Sequence, residues 1–160
     1  MTERTHPPTP CYVFDIDGTL ADLTHRLHFI QSKPKDWEAF KHFCFADKPI
    51  PHMIELCRTL WNTACTQRFS YRVILMSGRN ECQRAATQEW LERVAKLPNM
   101  PLYMRADLDY RDDSIIKQEL LQELRIDGYE PIMAFDDRSR VVNMWRANGV
   151  PCAQVAPGDF

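Results

Sequence analysis

No C-x-x-C pair occurs among the six cysteines, at positions 11, 44, 57, 65, 82 and 152, so the usual spacing of a zinc site or dithiol motif is missing. No apolar run approaches the roughly 20 residues needed to cross a bilayer. Residues 1–10 are polar and proline-rich and lack the apolar core of a secretory signal. The chain is therefore expected to be cytoplasmic, with no membrane partner and with reduced, mostly buried thiols. Glycine is scarce, at 18, 78, 128, 149 and 158, and G-x-x-x-x-G-K-[ST] is absent, so no P-loop kinase domain is expected in this chain. Neither charge dominates: 20 Lys plus Arg against 22 Asp plus Glu give a net charge of -2. No global basic field advertises nucleic acid, which leaves only a local basic patch to recognise one.

What the 160 residues do contain is the makeup of one ordinary globular domain, 44% hydrophobic and 26% charged. Residues 1–10 read as a flexible leader and 11–160 as the domain. Strands are expected at 11–14, 71–76, 102–104, 132–135 and 152–155, where short apolar runs end in polar residues. Helices are expected at 54–66, with Met53, Leu56, Cys57 and Leu60 on one stripe, and at 83–95, 113–125 and 138–148, the last stopped by Gly149. Residues 22–48 stand apart as an insert of two short helices broken at 32–34 and rich in aromatic and basic side chains. Alternating strands and helices argue for an α/β fold: a Rossmann-like parallel sheet of about five strands flanked by helices. In such sheets ligands bind beyond the carboxyl ends of the strands.

Three polar clusters follow expected strands directly and should meet at that edge. In Asp15-Ile16-Asp17-Gly18-Thr19, carboxylates two residues apart can divide two jobs, nucleophilic attack and proton transfer. Gly18 permits a sharp turn, and Thr19 offers a hydroxyl and an amide to an anion. A bare D-x-D also makes a solvated turn; the five-residue form after an apolar strand is much rarer. Ser77-Gly78-Arg79 offers a hydroxyl and amides to a phosphate oxygen, and equally suits a helix N-cap. Lys117 lies on an otherwise apolar helix face, where a lysine ordinarily snorkels to water, and Asp113 four residues earlier is its simplest ion-pair partner. Asp136 and Asp137 repel one another at a strand end. A hard divalent cation such as Mg²⁺ relieves that, and a helix cap is the alternative. His25 and His28, without further ligands nearby, read as helix-surface histidines.

These four pieces, in this order, resemble the haloacid dehalogenase (HAD) superfamily of phosphotransferases: Asp15 to Leu20, Ser77, Lys117 and Asp136-Asp137. A closer likeness is to the 3'-phosphatase domains of bacteriophage polynucleotide kinase-phosphatase. It rests on Ser77-Gly78-Arg79, on Arg111-Asp112-Asp113 leading to Lys117, on Asp136-Asp137-Arg138 with Val141-Val142 and Met144-Trp145-Arg146, and on the ending from Gln154 to Phe160. The likeness implies a HAD fold with residues 22–48 as a small cap. It further implies Asp15 as nucleophile, Asp17 as general acid and base, and Ser77, Gly78, Lys117 and Thr19 as phosphate contacts. Mg²⁺ would be held by Asp15, the carbonyl of Asp17 and the Asp136/Asp137 pair. Asp113 would orient Lys117, and Arg26 and Arg79 would contact substrate or shape the cap.

A lid of 27 residues leaves the site open to a polymer end, and Arg26, Lys33, Lys35 and Lys41 with Phe29, Trp37 and Phe40 could meet a nucleic acid. The plainer reading is that the aromatics pack the cap on the core. The leading expectation is a Mg²⁺-dependent phosphatase removing 3'-phosphates from nucleic-acid ends or nucleotides. A 5'(3')-deoxyribonucleotidase acting on free nucleoside monophosphates is the alternative, and a non-catalytic binding module of the same fold is a third.

Overall fold

The computed structural model describes residues 7–66 and 71–158. Along the chain run β1 (Thr9–Phe14), β2 (Ala21–Asp22), α1 (His28–Gln31), α2 (Trp37–His42), β3 (Lys48–Pro49), α3 (Pro51–Thr66), β4 (Arg72–Asn80), α4 (Arg84–Arg93), β5 (Leu102–Arg105), α5 (Asp113–Ile126), β6 (Tyr129–Asp136), α6 (Ser139–Ala147) and β7 (Cys152–Gln154). Five of the strands form one parallel sheet in the order β5-β4-β1-β6-β7. The order reverses at β1, which makes β1 and its neighbours the switch point where such sheets bind ligands.

Side-chain alternation builds two layers on this sheet. Val13, Ile74 and Met76 face α5 and α6, packing on Ile116, Leu121, Val142 and Trp145. Phe14, Val73 and Leu75 face α3 and α4, packing on Ile54, Cys57, Trp90 and Leu91. Register at the carboxyl edge is tight: Phe14 pairs with Leu75 on one side and Phe135 on the other. The Asp15 amide then donates to the Phe135 carbonyl at 3.0 Å, so the residues after β1 and β6 emerge together.

Several boundaries differ from the sequence expectation. Most of the expected leader, residues 1–6, lies outside the described residues, but Thr9 and Pro10 belong to β1, paired with Tyr129 and Glu130. β4 runs on through Ser77, Gly78 and Arg79 to Asn80, with a register shift between Ser77 and Asn80. Ser77 therefore caps no helix. Asn80 does so instead, exchanging hydrogen bonds with Gln83 around a short 3-10 turn. β6 absorbs Asp136, and Arg138 occupies the cap position of α6 without a side-chain hydrogen bond to the helix end, so neither aspartate caps that helix. Leu56 turns outward, 38% exposed, because Met53, Ile54 and Cys57 take the buried face of α3.

Residues 21–22 and 48–49 pair antiparallel and close the two ends of the insert. Neither apolar core includes a residue from 22–48, and α2 has no buried residue. The aromatics thus do not pack the insert on the core as the plainer reading had it: Trp37 is 49% exposed.

In α5, Leu121 is fully buried while Ile115 is 44% exposed. Leu121→Ala should cost about 2–5 kcal/mol in chemical denaturation, whereas Ile115→Ala should stay within about 0.5 kcal/mol.

Candidate active site

Helical spacing carries Lys117 inward, because Leu121 and Leu124, four and seven residues on, are fully buried on the same face of α5. Its ammonium, 1% exposed as a residue, donates to Asp15 Oδ1 at 2.6 Å and to Asp136 Oδ2 at 2.8 Å. The snorkelling reading is thereby excluded. Asp113 stands farther off, 3.9 Å from the ammonium, and accepts from Arg105 at 3.1 Å. Burial opposes the charged ammonium, but Asp136, Asp15 and Asp113 outweigh it and hold Lys117 protonated.

Asp15, Asp136 and Asp137 are buried, with one carboxylate oxygen from each lying within 4.8 Å of the others. Three carboxylates around one ammonium leave an excess of negative charge. Burial pushes the Asp15 carboxyl well above its usual range; Lys117 opposes this, while Asp136 and Asp137 add to it. Burial and then Asp136 push Asp137 up to about 6. Oxygen-only donors with surplus negative charge fit a hard divalent cation.

Asp17 lies only two residues from Asp15 but in a different environment. Its carboxylate accepts from Arg26 Nη2 at 2.7 Å and from Arg79 Nε at 3.1 Å. Burial would raise its pKa, yet Arg79 and Arg26 prevail and hold the carboxyl well below the usual range. Both arginines are themselves buried and share a second carboxylate, Asp47, with Arg26 Nε and Nη2 each at 2.7 Å and Arg79 Nη2 at 2.8 Å. Asp47 also meets His25 Nε2 at 2.9 Å, and its carbonyl accepts from the Trp90 indole at 2.8 Å. Sequence reasoning missed Asp47. It sits thirty residues from Asp17 in an Asp-Lys-Pro run that looks like an ordinary turn, and no local spacing links the two.

A cavity of about 540 Å³ opens over these groups. Of the residues expected from sequence, Asp15, Asp17, Arg26, Gly78, Arg79, Asp113, Lys117 and Asp137 line it. Asp136 is buried beside them, 1% exposed. Ser77 is fully buried and its Oγ accepts from the Arg79 amide at 3.2 Å. Thr19 is not on the wall: its amide donates to the Ile16 carbonyl at 3.3 Å, and its buried hydroxyl finds no partner among the described residues. Gly78 is constrained by space, since a Cβ there would collide with the Asp113 carboxylate. Trp37, Phe40, Lys35 and Lys41 of the insert also line the cavity, while Lys33 does not. Among the described residues His25 and His28 belong to no group of three or more metal-type side chains, and His25 is engaged by the buried Asp47 carboxylate.

Comparison with known proteins bears on what this arrangement does. A family model described as the polynucleotide kinase PNKP phosphatase domain matches residues 9–160. Chains of the Pnkp1/Rnl/Hen1 complex are similar over 98% and 96% of this chain, at 33% and 31% identity and TM-scores of 0.75 and 0.72. This chain covers 49% and 44% of them, about half their length. A protein of Autographa californica nuclear polyhedrosis virus, named as a bifunctional polynucleotide kinase/RNA ligase, is 32% identical over 79 residues, 49% of this chain and 11% of that protein. A class C acid phosphatase from Bacillus anthracis shares the fold at TM-score 0.63 and 17% identity, over 98% of this chain and 70% of its own.

Two outcomes follow from the electrostatics. Asp47→Ala strips both buried arginines of a partner and should lower stability by about 3–5 kcal/mol in denaturant titration. Asp137 binds its proton more tightly folded than unfolded, so its contribution is complete below about pH 4 and is lost as pH rises through about 6. Asp17 has the opposite sign and acts only as pH falls below about 4. Thermal unfolding in chelator should therefore show a midpoint that falls between about pH 4 and 6, with a shallower fall in Asp137→Asn.

Proposed function

Because the chain belongs to the phosphatase-domain family of polynucleotide kinase-phosphatase, within the HAD phosphatases, we propose that it removes 3'-phosphates from polynucleotide ends with the help of Mg²⁺. The observation that carries this reading is the split environment of two carboxylates two residues apart: Asp15 beside Lys117 and the Asp136/Asp137 pair, Asp17 beside two arginines. Asp15 attacks phosphorus, the bond to the nucleoside 3'-oxygen breaks, and an aspartyl-phosphate forms. Asp17 gives a proton to the leaving oxygen, then takes one from the water that hydrolyses the acyl phosphate, releasing phosphate and restoring Asp15.

The arginines keep Asp17 ionised in the resting site, ready as the base of the second half. A phosphate dianion brought against Arg79 offsets the field that holds Asp17 ionised, which lets the same carboxyl carry a proton for the first half. Lys117 and the Ser77 hydroxyl hold phosphoryl oxygens as charge redistributes, and Asp113 steadies Lys117 from 3.9 Å. Mg²⁺ held by Asp15, Asp136 or Asp137 and the Asp17 carbonyl would neutralise charge on the phosphoryl group.

Phosphate release with and without Mg²⁺ from 3'- and 5'-phosphorylated oligonucleotides and from 3'- and 5'-mononucleotides tests the reading. Preference for the 3'-phosphorylated oligonucleotide is expected, with turnover abolished by chelator and by Asp15→Asn. Preference for mononucleotides would move the chain to nucleotide hydrolysis. Release that survives Asp15→Asn would overturn the covalent mechanism.

A further inference from the structure

Accepting that reading of the site, we propose that Trp37 is the platform on which the base of the substrate's terminal nucleoside stacks. Trp37 opens α2, a helix with no buried residue, so its indole supports no core. It is nevertheless on the cavity wall, 49% exposed. A large apolar ring left half in water beside a polar site is suited to an aromatic ligand face.

Connectivity places it on the correct side of the reaction. Asp17 accepts from Arg26 at 2.7 Å, and the Arg26 guanidinium lies over the Phe40 ring, 4.2 Å from its centroid. Phe40 meets Trp37 edge to face at 6.0 Å. Asp17 is the group that protonates the leaving oxygen, and the contacts Asp17–Arg26–Phe40–Trp37 lead from it into the insert, so the nucleoside leaves beside these residues. Arg26, enclosed by Asp17, Asp47 and Phe40, fixes the near end of the chain of contacts and hence the position of the indole. The Lys35 ammonium, 5.3 Å from the Trp37 ring centroid, brings a cation to the same spot, where the next phosphodiester of a stacked strand would pass. Stacking of this kind tolerates any base and so suits an enzyme that reads an end rather than a sequence.

The test uses two 3'-phosphorylated oligonucleotides that differ only in whether the last nucleoside carries its base or is abasic. Trp37→Ala should raise KM for the base-bearing substrate by about tenfold or more, leave kcat within about twofold, and leave the abasic substrate unchanged. Trp37→Phe should retain most of the preference. Equal effects on both substrates, or no base preference in the unaltered protein, would overturn the proposal. A second readout needs no turnover: the base-bearing oligonucleotide bound to the Asp15→Asn protein should quench tryptophan emission, and that quench should vanish when Trp37→Phe is added. If no phosphate is released from either oligonucleotide, the activity reading fails and the quench still decides the stacking. A quench that is absent, or that persists after Trp37→Phe, refutes it.

Discussion

An ammonium taken out of water is costly unless carboxylates meet it, and Lys117 is met by Asp15 and Asp136. That enclosed ion cluster constrains the rest. α5 must lie against the sheet with residue 117 at its carboxyl edge, which Ile116, Leu120, Leu121 and Leu124 secure from the apolar side. β1 and β6 must end side by side, which the Phe14–Phe135 register and the Asp15 amide bond supply. Remove the lysine and three buried carboxylates face one another without the ammonium that Asp15 and Asp136 share. Three carboxylates sharing one ammonium leave surplus negative charge on oxygen donors, which fits a hard divalent cation.

The chain separates Asp15 from Asp17 by turning sharply between them. The Ile16 carbonyl accepts from the amides of Thr19, Leu20 and Ala21, which folds the segment back on itself. Gly18 makes this possible with φ at 88°, and a Cβ there would run into the Asp137 carboxylate. Asp15 consequently stays with the strand ends and the lysine, while Asp17 is delivered to the arginines. Burial, with Asp136 and Asp137 adding to it against Lys117, raises the Asp15 carboxyl, whereas Arg79 and Arg26 overcome burial and hold Asp17 ionised, so two identical side chains two residues apart differ in proton affinity.

The strands and helices were legible because apolar runs and helical stripes are local, and so were Asp15, Asp17, Lys117 and the Asp136/Asp137 pair, each tied to the end of a run or to a stripe. What escaped depended on tertiary neighbours. Ser77 reads equally as a cap or a ligand until the ladder shows β4 continuing past it to Asn80. Thr19 looks available to an anion until its amide is seen to close the turn on Ile16. Asp47 carries no periodic signal, because its partners come from residues 25, 26, 79 and 90. Trp37 and Phe40 have the spacing of a core stripe, and only the folded structure shows that they line the cavity.

A buried charge network ties the insert to the body of the protein. The two apolar cores exclude residues 22–48, whereas Arg26 and Asp47 from the insert join Asp17 and Arg79 from the sheet edge in one buried network, and Trp90 of α4 fastens the Asp47 carbonyl. Two arginines and two aspartates balance, so the network is stable as a closed set and strongly disturbed by the loss of any member. Those same contacts also hold Asp17 ionised. Fastening of the insert and the proton affinity of Asp17 are therefore one property of four side chains. Drawing Arg26 from Asp17 would raise that carboxyl toward its ordinary value.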